Sequence, residues 1–319
     1  MHRAICGKLP FSISGGKSAT YLHGKYSVGK VSGETLILKP LEALYLFSRK
    51  RIIPEDKSLN GMFRLLPVIL GSEENLYRYR VFENLKASGF QVVVEPDAMY
   101  FRHKGEGISR GPLIVRMESM ADSFTDVFSK APCIYAVVDE QNDMTIYQVT
   151  KYEPAGQRKD RWPESLDFMV AGDRYIVPSD SVPEWFGEEM GDAKVLTPTE
   201  IRALSGLVQR IPDAAHELLE QRELTDRVFL DMISRGCIVK TGFKYGSNFR
   251  AYLRSIEDHA ELLLSVFETE EWFKISRAVR VAHAVRKKMI FAGLSGNSLH
   301  YIQVERVRDF NGKTAQDDS

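Results

Sequence analysis

Apolar and polar positions follow the same order in two distant stretches of this chain. Residues 80–93 and 227–240 align without gaps at an offset of 147. In each, apolar residues recur at helical spacing, a glycine (Gly89 or Gly236) stops the run, and a second apolar run follows. That pattern predicts a short amphipathic helix and then a strand. Residues 38–44 match 196–202 at an offset of 158, with Pro40 and Pro198 where a helix would start after a strand. Residues 146–149 match 301–304, with Gln148 and Gln303 at an offset of 155. Three matches in one order predict an internal duplication, and the drift in offset implies insertions or deletions between blocks.

The join is expected at residues 153–163, which are polar and broken by Pro154, Gly156 and Pro163. The halves are then 1–160 and 161–310, the second made of a small subdomain at about 166–222 and a larger one at about 223–310. Residues 311–319 are polar and expected to be disordered. Further elements follow from periodicity. Residues 247–254 alternate like a strand, with Asn248, Arg250, Tyr252 and Arg254 on one face and Phe249, Ala251 and Leu253 on the other. On a helix over 275–289, Ala278, Val281, Ala282, Val285 and Met289 form a core stripe, opposite Arg280 and Lys287. Residues 289–294 and 299–304 flank a turn at Ser295–Ser298 and predict a closing hairpin. Helices and strands mix throughout, so the expected fold class is α/β (α+β mixed). It is built as two tandem repeats, each a small N-terminal α/β subdomain plus a mixed-sheet C-terminal subdomain.

Bulk properties narrow the partners. The 319 residues suit about two domains, and 44% hydrophobic with 27% charged residues is ordinary globular composition. Forty-three basic residues balance 43 acidic ones, so any affinity for nucleic acid must come from local clustering. Two such clusters exist: residues 235–256 and 274–304 hold no Asp or Glu but many Lys and Arg. Together they read as a phosphate-binding surface. Cys6, Cys133 and Cys237 have no metal-site or redox spacing and are expected as free thiols in a reducing compartment. No apolar run is long enough for a membrane span, and residues 1–7 do not resemble a signal peptide, so a soluble cytoplasmic protein is expected. His283, flanked by Ala282 and Ala284, reads as a packing or helix-bonding histidine.

The second half also carries a phenol, an imidazole and an amine: Tyr252, His259 and Lys287. Metal-free RNA cleavage needs a base for the 2′-hydroxyl, an acid for the departing 5′ oxygen and a cation for the phosphorane. These three side chains match those needs, with Arg250 and Arg254 near the phenol in sequence. Read alone, Tyr252 fits a plain surface position equally well, and His259 an ordinary loop.

Residues 239–252, then His259, then residues 280–288, form a long ordered signature that resembles the catalytic domain of tRNA-splicing endonucleases. The duplicated layout is similar to the archaeal homodimeric form, with a degenerate half (1–160) and a catalytic half (161–310) of nuclease-like fold. The resemblance implies cleavage of precursor tRNA at bulge-helix-bulge junctions, leaving a 2′,3′-cyclic phosphate and a 5′-hydroxyl, with no metal and no cofactor. It assigns Tyr252 as general base, His259 as general acid and Lys287 as the transition-state cation. It makes Arg280 and Arg306 a sandwich for a bulge base; Lys244 and Arg250, from the basic segment 235–256, are expected as further RNA contacts. Asp139, Glu140 and Asp143 match an acidic loop that docks on the partner of a homodimer. The positions aligned with Lys287 and His259 in the first half are Ala131 and Pro112, so no triad survives there. The seven residues from Tyr252 to His259 make a shorter loop than the family's usual one. Two alternatives stand beside this reading. One is a non-catalytic or RNA-binding subunit, against which the intact trio argues. The other is a metal-dependent nuclease, against which the acid-free stretches argue.

Overall fold

Glu42 and Glu200 close the same turn in the two halves. In a computed structural model that describes residues 4–6, 11–71, 76–107, 110–210, 223–308 and 310, helix Pro40–Ser48 follows strand Thr35–Leu38. Helix Pro198–Leu204 likewise follows strand Ala193–Leu196. Proline in the first turn lacks an N–H that the helix could not use. The Glu42 carboxylate accepts the backbone N–H of Gly29 and of Lys39, both at 2.8 Å. The Glu200 carboxylate accepts those of Gly187 at 3.2 Å and Thr197 at 2.8 Å. Both glutamates are buried, and each satisfies two backbone donors of its turn. All three positions repeat at an offset of 158.

The fold is mixed α/β and divides into two compact units. One comprises Met1–Met120, Cys133–Tyr147 and Val307–Ser319; the other Ala121–Pro132 and Gln148–Arg306. In the first, a small antiparallel sheet of Phe11–Ser14, Thr35–Leu38 and Lys30–Ser32 packs with helices Gly16–Tyr26 and Pro40–Ser48. Helix Leu76–Ala87 ends near Gly89, whose φ of 86° is open to glycine at little cost. Strands Cys133–Val138, Arg110–Met117, Met99–Arg102 and Gln91–Val94 follow as neighbours in that order, the first two parallel. Phe310 closes this core against Phe90 and Phe101. The segment 311–319, expected as a disordered tail, lies outside the described residues.

The second unit repeats the plan. A small sheet of Met169–Ala171, Arg174–Pro178, Ala193–Leu196 and Glu188–Met190 accompanies helix Pro198–Leu204. Helix Leu224–Ser234 leads to Gly236, with φ 80°. Strands Ile238–Thr241, Phe249–Tyr252, Leu262–Val266, Lys288–Ser295 and Ser298–Val307 neighbour one another in that order. The segment 121–132 belongs to this unit. Asp122 accepts the indole N–H of the buried Trp272 at 2.8 Å. The Phe124 ring lies over Gly293, where a Cβ would meet its Cγ at 2.3 Å.

The polar stretch expected at the join is bound along its length in this unit. The N–H groups of Gly156, Gln157 and Arg158 donate to the carbonyls of Arg235, Leu253 and Gly236 at 2.9, 2.8 and 3.1 Å. Gly156 permits this approach, because a Cβ there would fall 2.0 Å from the Gly236 oxygen. Cys133 and Cys237 are buried thiols outside any disulfide, and burial pushes Cys237 up to about 11. Among the described residues, no helix is long and apolar enough to cross a membrane.

Candidate active site

The site is set by strand direction. Tyr252 ends its strand and pairs with Ile238 on one side, while Ala251 pairs with Leu262 on the other. Leu262 in turn pairs in parallel with Lys288, and Ile290 in antiparallel with Gln303. Strand Phe249–Tyr252 therefore finishes where Leu262–Val266 and Lys288–Ser295 start, and where Ser298–Val307 finishes. Neighbouring strands lie about 4.7–4.9 Å apart. Tyr252, His259, Lys287 and Arg306 are thus delivered to one end of one sheet.

The helix before Lys287 is shorter than its periodicity predicts. It spans Trp272–Ala284, not 275–289. Arg286 takes a left-handed φ of 55°. Its N–H reaches the His283 carbonyl at 3.1 Å, and that of Lys287 reaches Ala282 at 2.9 Å. This pair of bonds is a Schellman closure, with arginine where glycine is usual. The absence of that glycine is why the stop was illegible. The stripe shifts accordingly: Trp272, Ile275, Val279 and Ala282 are buried, whereas Val285 is exposed and Met289 is a buried strand residue. Arg280 and His283 are exposed, so His283 does not pack as expected. Lys287 stands in the turn itself, and its ammonium donates to the carbonyl of Ala260, next to His259.

The short loop between Tyr252 and His259 is closed by Glu261, which sequence reasoning missed. Its carboxylate accepts the Leu253 N–H at 3.0 Å and pairs with Arg254 at 3.4 Å. Its carbonyl accepts the Lys288 N–H at 3.0 Å. A tight turn from Ser255 to Asp258 completes the loop and leaves His259 exposed at the entry to its strand.

Tyr252 departs from the open polar face expected for it. It is 7% exposed and sits in the cluster that holds Trp185, Phe186 and Leu196. The Arg250 guanidinium lies over its ring at 5.8 Å from the centroid. Lys240, the cross-strand neighbour of Arg250, donates to the Gly187 carbonyl at 2.9 Å. The small sheet's loop thus covers the face that alternation alone reads as open.

A second phenol, which the sequence reading passed over, enters the cationic group. Gly242 and Gly246 shape loop 242–248. A Cβ on Gly242 would meet Ser247 Oγ at 2.3 Å, and Gly246 has φ 68°. The loop presents Tyr245 with the Lys244 ammonium 4.9 Å and the Lys287 ammonium 6.0 Å from its ring centroid. The hydrogen bond from Lys244, aided by the charges of Lys287 and Arg250, holds the Tyr245 phenol below its ordinary value. Lys244 and Lys287 therefore flank one aromatic ring.

The remaining candidates lie as follows. Arg280 is exposed on the helix and Arg306 is exposed near its strand's end. In the first unit, Asp139 turns its carboxylate onto the N–H groups of Gln141 and Asp143 at 2.9 and 2.8 Å. Glu140 and Asp143 are exposed on the same hairpin. Ala131 and Pro112 offer neither a proton nor a charge. Among the described residues, no group of three or more His, Cys, Asp or Glu could hold a metal ion.

Comparison with known proteins gives a consistent picture. Residues 224–301 match the family described as tRNA intron endonuclease, catalytic C-terminal domain, and residues 12–62 match its N-terminal domain. The tRNA-splicing endonuclease of Thermoplasma volcanium is 34% identical over 312 residues, covering 97% of this chain and 99% of that protein. That of Picrophilus torridus is 33% identical over 303 residues, covering 94% and 95%. That of Methanococcoides burtonii is 27% identical over 337 residues, covering 90% and 94%. Likeness of this extent, running through both units, means that the chain belongs to the tRNA-splicing endonuclease family.

Proposed function

We propose that the protein cuts precursor tRNA at the bulge-helix-bulge junctions of introns by metal-independent transphosphoesterification. The observation that carries this reading is the bond from the Lys287 ammonium to the residue after His259, at the sheet end where Tyr252 also finishes. Tyr252 acts as general base and takes the 2′ proton on its phenolic oxygen, with the Arg250 guanidinium lying over its ring. The 2′ oxygen attacks phosphorus. His259 gives a proton to the departing 5′ oxygen, and Lys287 balances the added negative charge of the phosphorane. The products are a 2′,3′-cyclic phosphate and a 5′-hydroxyl. Lys244, Arg250, Arg280 and Arg306 hold the RNA, the last two by stacking on a bulge base.

In this proposal the chain is a tandem duplication whose residues 1–160 keep the framework without the triad, and whose residues 161–310 cut. The repeated Glu42 and Glu200 closures support that. Two copies associate through the acidic hairpin of Asp139, Glu140 and Asp143, so that two sites meet two bulges. The test is cleavage of a bulge-helix-bulge RNA in excess EDTA, with end-group analysis and a mass measurement in solution. Cyclic phosphate ends from a dimer are expected. Cleavage that requires magnesium, or binding without cleavage, overturns the reading. Charge reversal at Glu140 and Asp143 is expected to give a monomer.

A further inference from the structure

Helix Trp272–Ala284, strand Leu262–Val266 and loop 242–248 bound a groove of about 580 Å³. That volume lies within the range of about 300–1,000 Å³ that holds small ligands, and it has room for one nucleotide. The loop side contributes Lys244, Tyr245 and Asn248, and the helix side contributes Lys274 and Arg277. Glu270 also lines it, but its carboxylate is paired with Lys274 at 2.9 Å. The remaining balance is positive, from Lys244 and Arg277. Phe243, 88% exposed, projects from the same loop.

Two features tie the groove to the chemistry. Tyr245 lines it, and the same ring stands 6.0 Å from the Lys287 ammonium. A phosphate held at Lys287 would therefore have its neighbouring nucleotide at the mouth of this groove. Aromatic faces beside cations are what unpaired RNA requires, since every base has a π-face and every link a charge. A base-paired nucleotide has no free face to offer.

We propose that this groove is a nucleotide subsite of the same active centre. It takes one unpaired nucleotide beside the cleaved phosphate, with the base stacked on Tyr245 and its phosphate held by Lys244 and Arg277. The inference rests on the RNA-cutting reading above. Tyr245 acts here as a stacking surface, and its hydroxyl takes no part in proton transfer.

The experiment measures binding to a bulge-helix-bulge RNA made non-cleavable by a 2′-deoxy residue at each cut site. Binding is compared among the wild type, Tyr245→Ala, Tyr245→Phe and Arg277→Ala. Single abasic residues are placed in turn at the three positions on either side of a cut. Tyr245→Ala is expected to weaken binding about 5- to 100-fold, the usual worth of one stacked base. Tyr245→Phe is expected to recover most of that loss. At one position, the abasic penalty seen with wild type is expected to vanish in Tyr245→Ala. Independent penalties at every position, or a Phe variant as weak as Ala, overturn the subsite. Cleavage of the all-ribose RNA by the wild type is scored separately. Its absence would sink the catalytic reading, while the binding couplings would still decide the groove.

Discussion

Replacing Lys287 by alanine tests the chemistry most sharply. The side chain is half-buried in the turn after the helix, and its ammonium is fixed by the Ala260 carbonyl. Losing that bond costs about 0.5–1.5 kcal/mol of stability. Losing a cation just beyond a helix C-terminus costs about 0.3–1 kcal/mol more. Against a usual stability of about 5–15 kcal/mol, the variant stays folded. The catalytic loss is larger. Removing a pre-positioned group that stabilises transition-state charge lowers the rate about 10²–10³-fold, or roughly 2.7–4 kcal/mol. Lys244, Arg250, Arg280 and Arg306 remain, so RNA binding weakens by less than about tenfold. The assay is single-turnover cleavage at saturating enzyme, with thermal unfolding and binding to non-cleavable RNA measured alongside. A folded Lys287→Ala protein that cuts within about threefold of wild type would refute the assignment.

Three further outcomes are expected. His259→Ala should bind the same RNA near-normally and cut it about 10²–10⁴-fold more slowly, and a near-normal single-turnover rate would remove His259 from the mechanism. Gly156→Ala would set a Cβ 2.0 Å from the Gly236 oxygen and 2.5 Å from the Cys237 nitrogen. Both are backbone atoms that cannot swing away, so a loss of about 3 kcal/mol or more is expected in urea unfolding, and an unchanged midpoint would contradict the packing. Burial pushes Lys86 down to about 8 from 10.5. Between those values the folded state binds fewer protons than the unfolded one, so this group's contribution to stability rises with pH across that window. The slope is at most about 1.4 kcal/mol per pH unit. Lys86→Gln should flatten the wild-type difference between pH 8 and 10, and parallel curves would show that the amine stays charged.

Much of the fold was legible because it follows period and punctuation. Gly89 and Gly236 stop helices, Pro40 and Pro198 start them, and the closing hairpin turns at Gly296. The site was legible as a set of residue types but not as an arrangement. Alternation puts Tyr252 on a polar face, yet alternation does not know that Gly187 and its neighbours cover that face. The wheel carries a helix through Lys287, because nothing marks Arg286 as left-handed. Glu261 and Tyr245 were invisible for another reason. Their partners farther along the chain, Leu253 and Arg254 for one and Lys287 for the other, become neighbours only when strand ends meet.

What the two halves share and where they differ follows from this. The glutamate closures fix how a helix leaves its strand, and they recur with the same donors at the same spacing. Each carboxylate is buried and accepts two backbone N–H groups, so removing it breaks both bonds of the turn at once. A change there threatens the fold in either half. The turn that enters the strand is under no such constraint. Lys287 stands there in one half, and Ala131, without charge, in the other. Ala131 is buried, whereas Lys287 keeps contact with solvent. An ammonium at the buried position would need a partner carbonyl and a path to water, and its desolvation would cost several kcal/mol without them. A lysine at Ala131 alone would therefore not reproduce the setting of Lys287. The Ala131 turn is committed to packing, while the Lys287 turn presents its cation at the sheet end where Tyr252 and His259 also arrive.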